Sequence, residues 1–322
     1  MTLALVEHDD GTPTELSLEL LSLARQLAAA ADEPVVAAVF GEGAEATAAT
    51  LGDHGVDAVR PVTHANLDGY APRAWAESLV QLADELSPEA VLAPGSDRGQ
   101  EVMAHVGASL DRPVAANCLT VAPGAAYELT RQRWGGSLVE HARLESDPKL
   151  LTAAAHELAI EPVDGGGEAT VEPFEPTLEA DHLAVRVARF EESDEEGVPL
   201  GEARVVVSGG RGVGGPEGYE PLEALADLLG GTVGASRAAV NEGWRPHADQ
   251  VGLTGAKISP DIYIACGISG AIQHMVGCKG AKSILAINTD PDAAIMGKAD
   301  WAVVGDLHEV VPAVVEAIRN GD

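Results

Sequence analysis

The stretch QVGLTGAKISPDIYIACGISGAIQHMVGCKGAKSILAINTDP, residues 250–291, decides the fold class. It holds two short apolar segments, 261–265 and 283–287, each flanked by glycine or small polar residues and each of strand length. Between them, residues 268–276 carry an apolar face that fits a short helix, beginning where glycine and serine leave backbone donors free. A strand that delivers the chain into a tight turn and then a helix is the layout of a nucleotide or phosphate site. Gly267, Ser269 and Gly270 keep bulky side chains out of that turn. Alone, the stretch predicts a phosphate-binding α/β unit and no particular ligand.

Outward from it, the second half of the chain keeps the same grammar. Residues 203–207 form an apolar strand that runs into SGGRGVGG at 208–215, followed by a helix at 219–229 and a short strand at 232–234. A small-residue turn and short helix occupy 235–241, and a strand at 301–304 and a helix at 307–320 close the chain. Gly210 to Gly215 satisfies the GxGxxG pattern after a strand. The dinucleotide fingerprint also expects an acidic residue about 20 positions on, where this chain has VGASR at 233–237. The missing acid argues against ordinary NAD binding, while an arginine there leaves an NADP reading open.

The first half alternates strands at 2–6, 34–40, 58–61 and 90–93 with helices at 16–31, 44–51, 72–86 and 100–110, the last preceded by a polar turn at 94–99. This alternation predicts a parallel sheet with helices on both faces. From residue 117 the strands at 117–121, 127–133, 137–144 and 150–155 lack long intervening helices and fit an antiparallel extension of that sheet. Arg131, Arg133 and Trp134 stand out there: they face a neighbouring subunit, or the cations pair with nearby carboxylates, which is the simpler reading. Residues 164–180 read as an irregular connection and 185–190 as a strand. The acidic run EESDEEG, 191–197, marks the domain boundary.

Length and charge narrow the class further. At 322 residues two domains are the default. Fifty-one Asp and Glu against 20 Lys and Arg give a formal net charge of −31, which repels nucleic acid and anionic membranes. A carboxylate surface spread over both halves suits a protein kept hydrated in concentrated salt, and points to a salt-loving host. Three cysteines without metal-ligand spacing, no basic leader and no run of 18 apolar residues predict a reduced, soluble, cytoplasmic protein.

No nucleophile with a matching base is visible, and the histidines show no metal-ligand spacing. No catalytic or metal-binding residue is therefore assigned. The scarce cations are more informative. Arg211, Arg237, Lys257 and His274 all follow strands, where an open parallel sheet has its crevice. A ligand with a diphosphate and an electron-rich ring explains that convergence better than four separate surface residues do.

Residues 208–212, VGASRAAV at 233–240, QVGLTG at 250–255 and above all YIACGISGAIQHMVGCKGAKSILAINTDPDAAI at 263–295 resemble the alpha subunit of the electron transfer flavoproteins, also called the FixB type. The resemblance is strong over the second domain and extends to the order of elements in the first. It implies a nucleotide-binding-like α/β domain at 1–195 that contacts a beta subunit, and a flavodoxin- or Rossmann-like α/β domain at 196–322 that holds one FAD. Carried over residue by residue, Arg211 lies over the flavin, and Ser236 and Arg237 contact the phosphate region and the ring. Gln250, Thr254 and Gly255 belong to the flavin-binding turn, with the Thr254 hydroxyl near N5. Gly267, Ser269, Gly270 and Gln273 line the pyrophosphate and ribityl side, and His274 lies near the carbonyl O2. Asn288 and Asp306 serve the adenosine end. Positive charge from Arg237 and His274 is then expected to raise the potential of the first reduction step.

Two positions depart from the pattern: Ala256 replaces a usual basic residue, with Lys257 one place later, and Leu253 stands where glutamine is common. The resemblance implies a heterodimeric, non-enzymatic electron carrier, and the acidic composition places it in a halophilic archaeon. It would take electrons from flavin dehydrogenases such as the acyl-CoA dehydrogenases of fatty acid oxidation and pass them to a membrane-bound quinone oxidoreductase. The beta subunit would hold AMP, or a second FAD in an electron-bifurcating, NADH-oxidising alternative. A purely regulatory flavin binder would lack the ring-facing Arg237 and His274.

Overall fold

In the first unit, apolar strands of five or six residues alternate with helices whose buried faces repeat every three to four residues. The elements are β1 (Thr2–Val6), β2 (His8–Asp9), β3 (Thr12–Pro13), α1 (Glu15–Ala31), β4 (Val35–Phe40), α2 (Ala44–Leu51), β5 (Ala58–Val62), α3 (Pro72–Leu86), β6 (Ala90–Ala93) and α4 (Asp97–Leu110). There follow β7 (Val114–Ala122), β8 (Tyr127–Arg133), β9 (Leu138–Leu144), β10 (Lys149–Ala153) and β11 (Thr170–Val171). The computed structural model describes residues 1–67, 69–134, 138–161, 163, 166–187 and 198–320. The chain divides into two compact units, Met1–Glu192 and Ser193–Asp322.

The nine-stranded sheet of the first unit has the order β11-β5-β4-β1-β6-β10-β7-β8-β9. β7, β8 and β9 are antiparallel, as the loss of intervening helices predicts. β10 differs: it was expected among the antiparallel strands and instead lies between β6 and β7, parallel to both. Its residues are buried throughout, and a strand covered on both faces belongs inside the sheet. α4 begins at Asp97 instead of residue 100, because the Ser96 hydroxyl accepts from the Gly99 N–H at 2.8 Å and caps the first turn. Residues 185–187 form no strand, and 188–190 lie outside the described residues, as does the acidic run 191–197. Arg131 sits directly across from Glu140 and bonds it at 2.6 Å, with Arg133 3.5 Å from the same carboxylate. The cations thus have cross-strand partners, while Trp134 is 81% exposed.

One buried acid ties the segment after β10 to α1. The Glu19 carboxylate accepts the His156 N–H at 3.0 Å, and the Ser22 hydroxyl three residues on accepts the Glu161 N–H at 2.9 Å. Burial raises the Glu19 pKa to about 7, against the pull of backbone N–H donors. A raised carboxyl holds a proton in the folded chain that the unfolded chain has already lost. Its stabilising effect is therefore complete below about pH 4.5 and is lost as pH rises to about 7, a change of about 3 kcal/mol. Chemical denaturation of wild type and Glu19→Gln should show the difference in stability growing in favour of Gln between pH 5 and pH 8. A pH-independent difference would contradict this assignment.

The second unit comprises β12 (Val205–Gly209), α5 (Glu220–Leu229), β13 (Thr232–Ser236), α6 (Arg237–Asn241), β14 (Gln250–Val251), β15 (Ile262–Cys266), α7 (Ile272–Gly277), β16 (Ile284–Asn288), β17 (Trp301–Val304) and α8 (Leu307–Asn320). Its six strands are all parallel, in the order β14-β13-β12-β15-β16-β17. Numbered from its own start this is 3-2-1-4-5-6, the doubly wound order whose direction reverses between the first and fourth strands. Alternation along β15 sends Ile264 and Cys266 into one core with α5 and α8, and Tyr263 and Ala265 into the other with Ile268 and Cys278.

Both sheets fix one strand pair at its amino end with the same device. Asp57 precedes β5, donates its N–H to the Val35 carbonyl and accepts the Val35 N–H on its side chain at 2.8 Å. Asp300 precedes β17 and makes the same two bonds with Ile284, the side-chain bond also at 2.8 Å.

Candidate functional site

Except for Gln250, the first residue of a two-residue strand, every site residue expected from the sequence lies at or beyond the carboxyl end of a strand in the six-stranded sheet. Arg211 follows β12, Ser236 ends β13, and Arg237 opens α6. Gln250 lies in β14, followed by Thr254 and Gly255. Gly267, Ser269, Gly270, Gln273 and His274 follow β15, Asn288 ends β16 and Asp306 follows β17. A parallel sheet of this order opens a crevice outside the carboxyl ends of the strands at the reversal point, here between β12 and β15.

Backbone contacts knit the turns around that crevice. The Gly212 N–H donates to the Gly267 carbonyl at 3.1 Å, and the Gly210 N–H to the Cys266 carbonyl at 2.9 Å. Gly267 has φ +62°, and a Cβ on it would fall 2.7 Å from the Gly212 Cα. Only a residue without a side chain allows that crossing. Gly270, at φ +78°, lies against the Ile295 backbone in the same way. Its left-handed conformation keeps 268–271 out of the helix, so α7 is six residues long instead of the nine expected from residue 268. A helix that short has little dipole, and the loop itself must supply the ligand contacts expected of its N-terminus.

Side chains add polar contacts. The Ser236 hydroxyl accepts the Ala239 N–H at 3.3 Å and caps α6. Gln250, buried, donates from Nε2 to the Thr254 Oγ1 at 3.0 Å, which orients a hydroxyl on an exposed residue. The Leu253 N–H donates to the Gln273 carbonyl at 2.7 Å and joins this turn to the one after β15. The Asn288 amide donates to the Ile268 carbonyl at 2.9 Å, and the Asp306 carboxylate accepts the His308 N–H at 2.9 Å at the start of α8. These two side chains therefore shape the loops as well as facing the crevice edge.

The cations divide sharply. Arg204 and Arg245 are ion-paired with Asp261 and with Glu223 and Asp249. Arg211 and Arg237 are exposed, and their side chains make no ion pair or hydrogen bond among the described residues. In a chain with 51 acids, two guanidinium groups left unpaired beside the same crevice call for an anionic ligand.

His274 behaves differently from the expectation of a positive charge. It is 7% exposed, and burial pushes its pKa down to about 4, so its ring is neutral near pH 7. Its Nε2 lies 2.7 Å from the Tyr263 hydroxyl, and its Nδ1 is buried without a hydrogen-bond partner. The charge expected at the ring thus rests on the arginines. Tyr263 went unassigned in the sequence; the available signal was a phenol in a buried apolar strand, whose hydroxyl must find a partner. Leu253 and Ile272 leave apolar surface exposed beside Thr254 and Gln273. Among the described residues no group of three His, Cys, Asp or Glu is placed to hold a metal, and no helix is long and apolar enough to cross a membrane.

Comparison with known proteins agrees with this geometry. Residues 2–179 match the family model described as the electron transfer flavoprotein domain, and residues 199–279 the one described as the electron transfer flavoprotein FAD-binding domain. An electron transfer flavoprotein subunit alpha from Thermoanaerobacterium thermosaccharolyticum is 34% identical over 317 residues, covering 98% of this chain and 96% of that one. Its counterpart in Mycobacterium tuberculosis is 37% identical over 325 residues, covering 98% of each. The protein FixB of Clostridium saccharobutylicum is 36% identical over 318 residues, covering 98% and 95%. The residues present fit a flavin dinucleotide: unpaired guanidinium groups for its diphosphate or ring, a glycine crossing that admits close approach, and an orphaned imidazole nitrogen.

Proposed function

The chain belongs to the electron transfer flavoprotein alpha-subunit family, and on that premise we propose that it is the FAD-holding half of a heterodimeric electron carrier. The observation that carries this reading is the pair Arg211 and Arg237, whose side chains are unpaired among the described residues on the turns after the adjacent strands β12 and β13, the first of which borders the reversal point of a doubly wound sheet. FAD would supply the redox chemistry, and this chain its position and electrostatics. Arg211 and Arg237 would offset negative charge on the cofactor. Thr254 would present its hydroxyl proton outward, because its oxygen already accepts from Gln250. His274 would meet the cofactor through Nδ1, the nitrogen left without a partner. Leu253 and Ile272 would cover apolar ring surface and exclude water.

The partner in this reading is an electron transfer flavoprotein beta subunit. Donors are flavin dehydrogenases, among them those acting on acyl-CoA thioesters, and the acceptor is a membrane-bound quinone oxidoreductase. The acidic composition supports a salt-rich setting, which in this reading is the cytoplasm of a halophilic archaeon.

Coexpression with the neighbouring beta subunit, followed by acid extraction of bound nucleotides, tests the reading. One FAD and one AMP per heterodimer is the expected result. Two FADs would place the pair with electron-bifurcating, NADH-oxidising complexes instead. A folded heterodimer without flavin would overturn the proposal.

A further inference from the structure

We infer that Tyr263 is a positioning residue, which fixes the tautomer of His274 so that the imidazole presents a neutral Nδ1–H donor to an acceptor atom of the bound cofactor. The inference rests on the flavin-binding reading of the site and deepens it.

Tyr263 and His274 are eleven residues apart, one the second residue of β15 and the other in α7. The sheet face that carries Tyr263 brings its hydroxyl to 2.7 Å from Nε2. Tyr263 is fully buried, and its pKa is raised well above the ordinary phenol value, chiefly by burial; the hydroxyl keeps its proton. His274 is neutral for the same physical reason.

Between a neutral phenol and a neutral imidazole, the phenol is the better donor and the unprotonated ring nitrogen the better acceptor. The Tyr263 O–H therefore donates to Nε2, and the ring proton resides on Nδ1. The opposite arrangement would make a weaker bond and leave Nδ1 as a buried lone pair. Nδ1 makes no hydrogen bond of full geometry within the chain, and the Val251 carbonyl near the ring favours a proton on it. A buried unpaired donor is costly, and an acceptor on the ligand removes that cost on binding.

This arrangement gives the site polarity without charge. An imidazolium would favour any anion, whereas a neutral N–H directed by a buried phenol favours an acceptor at one place and orientation.

The test is nitrogen-15 NMR of histidine-labelled heterodimer, with His274→Asn used to assign the resonances. In wild type, His274 should show a protonated Nδ1 and an unprotonated, hydrogen-bonded Nε2, whether or not flavin is bound. A protonated Nε2 in wild type would overturn the inference by itself, even if no Tyr263 variant folds. In Tyr263→Phe the proton should redistribute towards Nε2 and the FAD dissociation constant should rise about three- to tenfold. A variant that keeps both the Nδ1–H tautomer and the wild-type affinity would also overturn it. A heterodimer that binds no FAD refutes the functional reading, and its tautomer spectrum still decides whether Tyr263 orients His274.

Discussion

Gly267→Val is expected to abolish flavin binding and to cost the second unit about 4 kcal/mol or more, the range of substitutions that combine backbone strain with overpacking. Two effects add. Gly267 has φ +62°, where a β-branched residue is strained, and its new Cβ would lie 2.7 Å from the Gly212 Cα and 2.8 Å from the Leu307 side chain. Gly212 and Leu307 belong to the turn after β12 and the start of α8, so relief of the clash must separate the turns that face each other across the crevice. Gly214→Ala is the control. Gly214 also has positive φ, at +80°, but nothing lies within 4 Å of a Cβ placed on it. It should lose only about 1–2 kcal/mol and keep its flavin. Denaturation curves and the ratio of flavin to protein after gel filtration give both readouts. Full flavin occupancy in Gly267→Val would refute the close-crossing account.

Arg237→Ala is expected to keep most of its FAD while lowering the potential of the first one-electron couple by about 60–120 mV. Each 60 mV corresponds to about a tenfold loss in the one-electron equilibrium. The argument is electrostatic. Arg237 opens α6 and has no ion pair among the described residues, so a change of ligand charge is not buffered by a neighbouring carboxylate. One unit charge a few ångströms from an added electron, at an effective dielectric constant near 20, is worth about 2–4 kcal/mol, part of which solvent recovers at an exposed side chain. Arg237→Lys should retain most of the effect. A spectroelectrochemical titration at fixed salt that finds the Arg237→Ala potential unchanged would remove Arg237 from ring electrostatics. His274 should contribute less than Arg237 to the potential, because burial holds it neutral.

The strands β12, β13, β15, β16 and β17 of the second unit were legible from short apolar runs, whereas their order in the sheet and the two-residue β14 were not. The cations Arg211 and Arg237 were conspicuous in an acidic chain, whereas Gln250, Thr254, Gln273, Asn288 and Asp306 were singled out only through the family resemblance. What could not be read depends on contacts distant in sequence. β10 enters the first sheet between β6 and β7 because its five residues are buried, and apolar content alone does not name the neighbours. The start of α7 is delayed by Gly270, whose φ of +78° answers to the backbone of Ile295, twenty-five positions away. The neutrality of His274 arises from burial beside Tyr263, and nothing in the local sequence separates that histidine from a charged one. The start of α4 was legible in retrospect, because Ser96 followed by Asp97 is a capping signal.

The paired bonds of Asp57 and Asp300 act as index marks. Because side chains alternate along a strand, a shift of one residue would turn every inward group outward. Asp300 fixes β17 against β16 at the end remote from the crevice, and the ladder from Leu285–Trp301 to Asn288–Val304 carries that alignment across the sheet. The height at which Asn288 and Asp306 emerge at the crevice end of the sheet is thus set about 13 Å away, four strand residues back, by an aspartate at the opposite end.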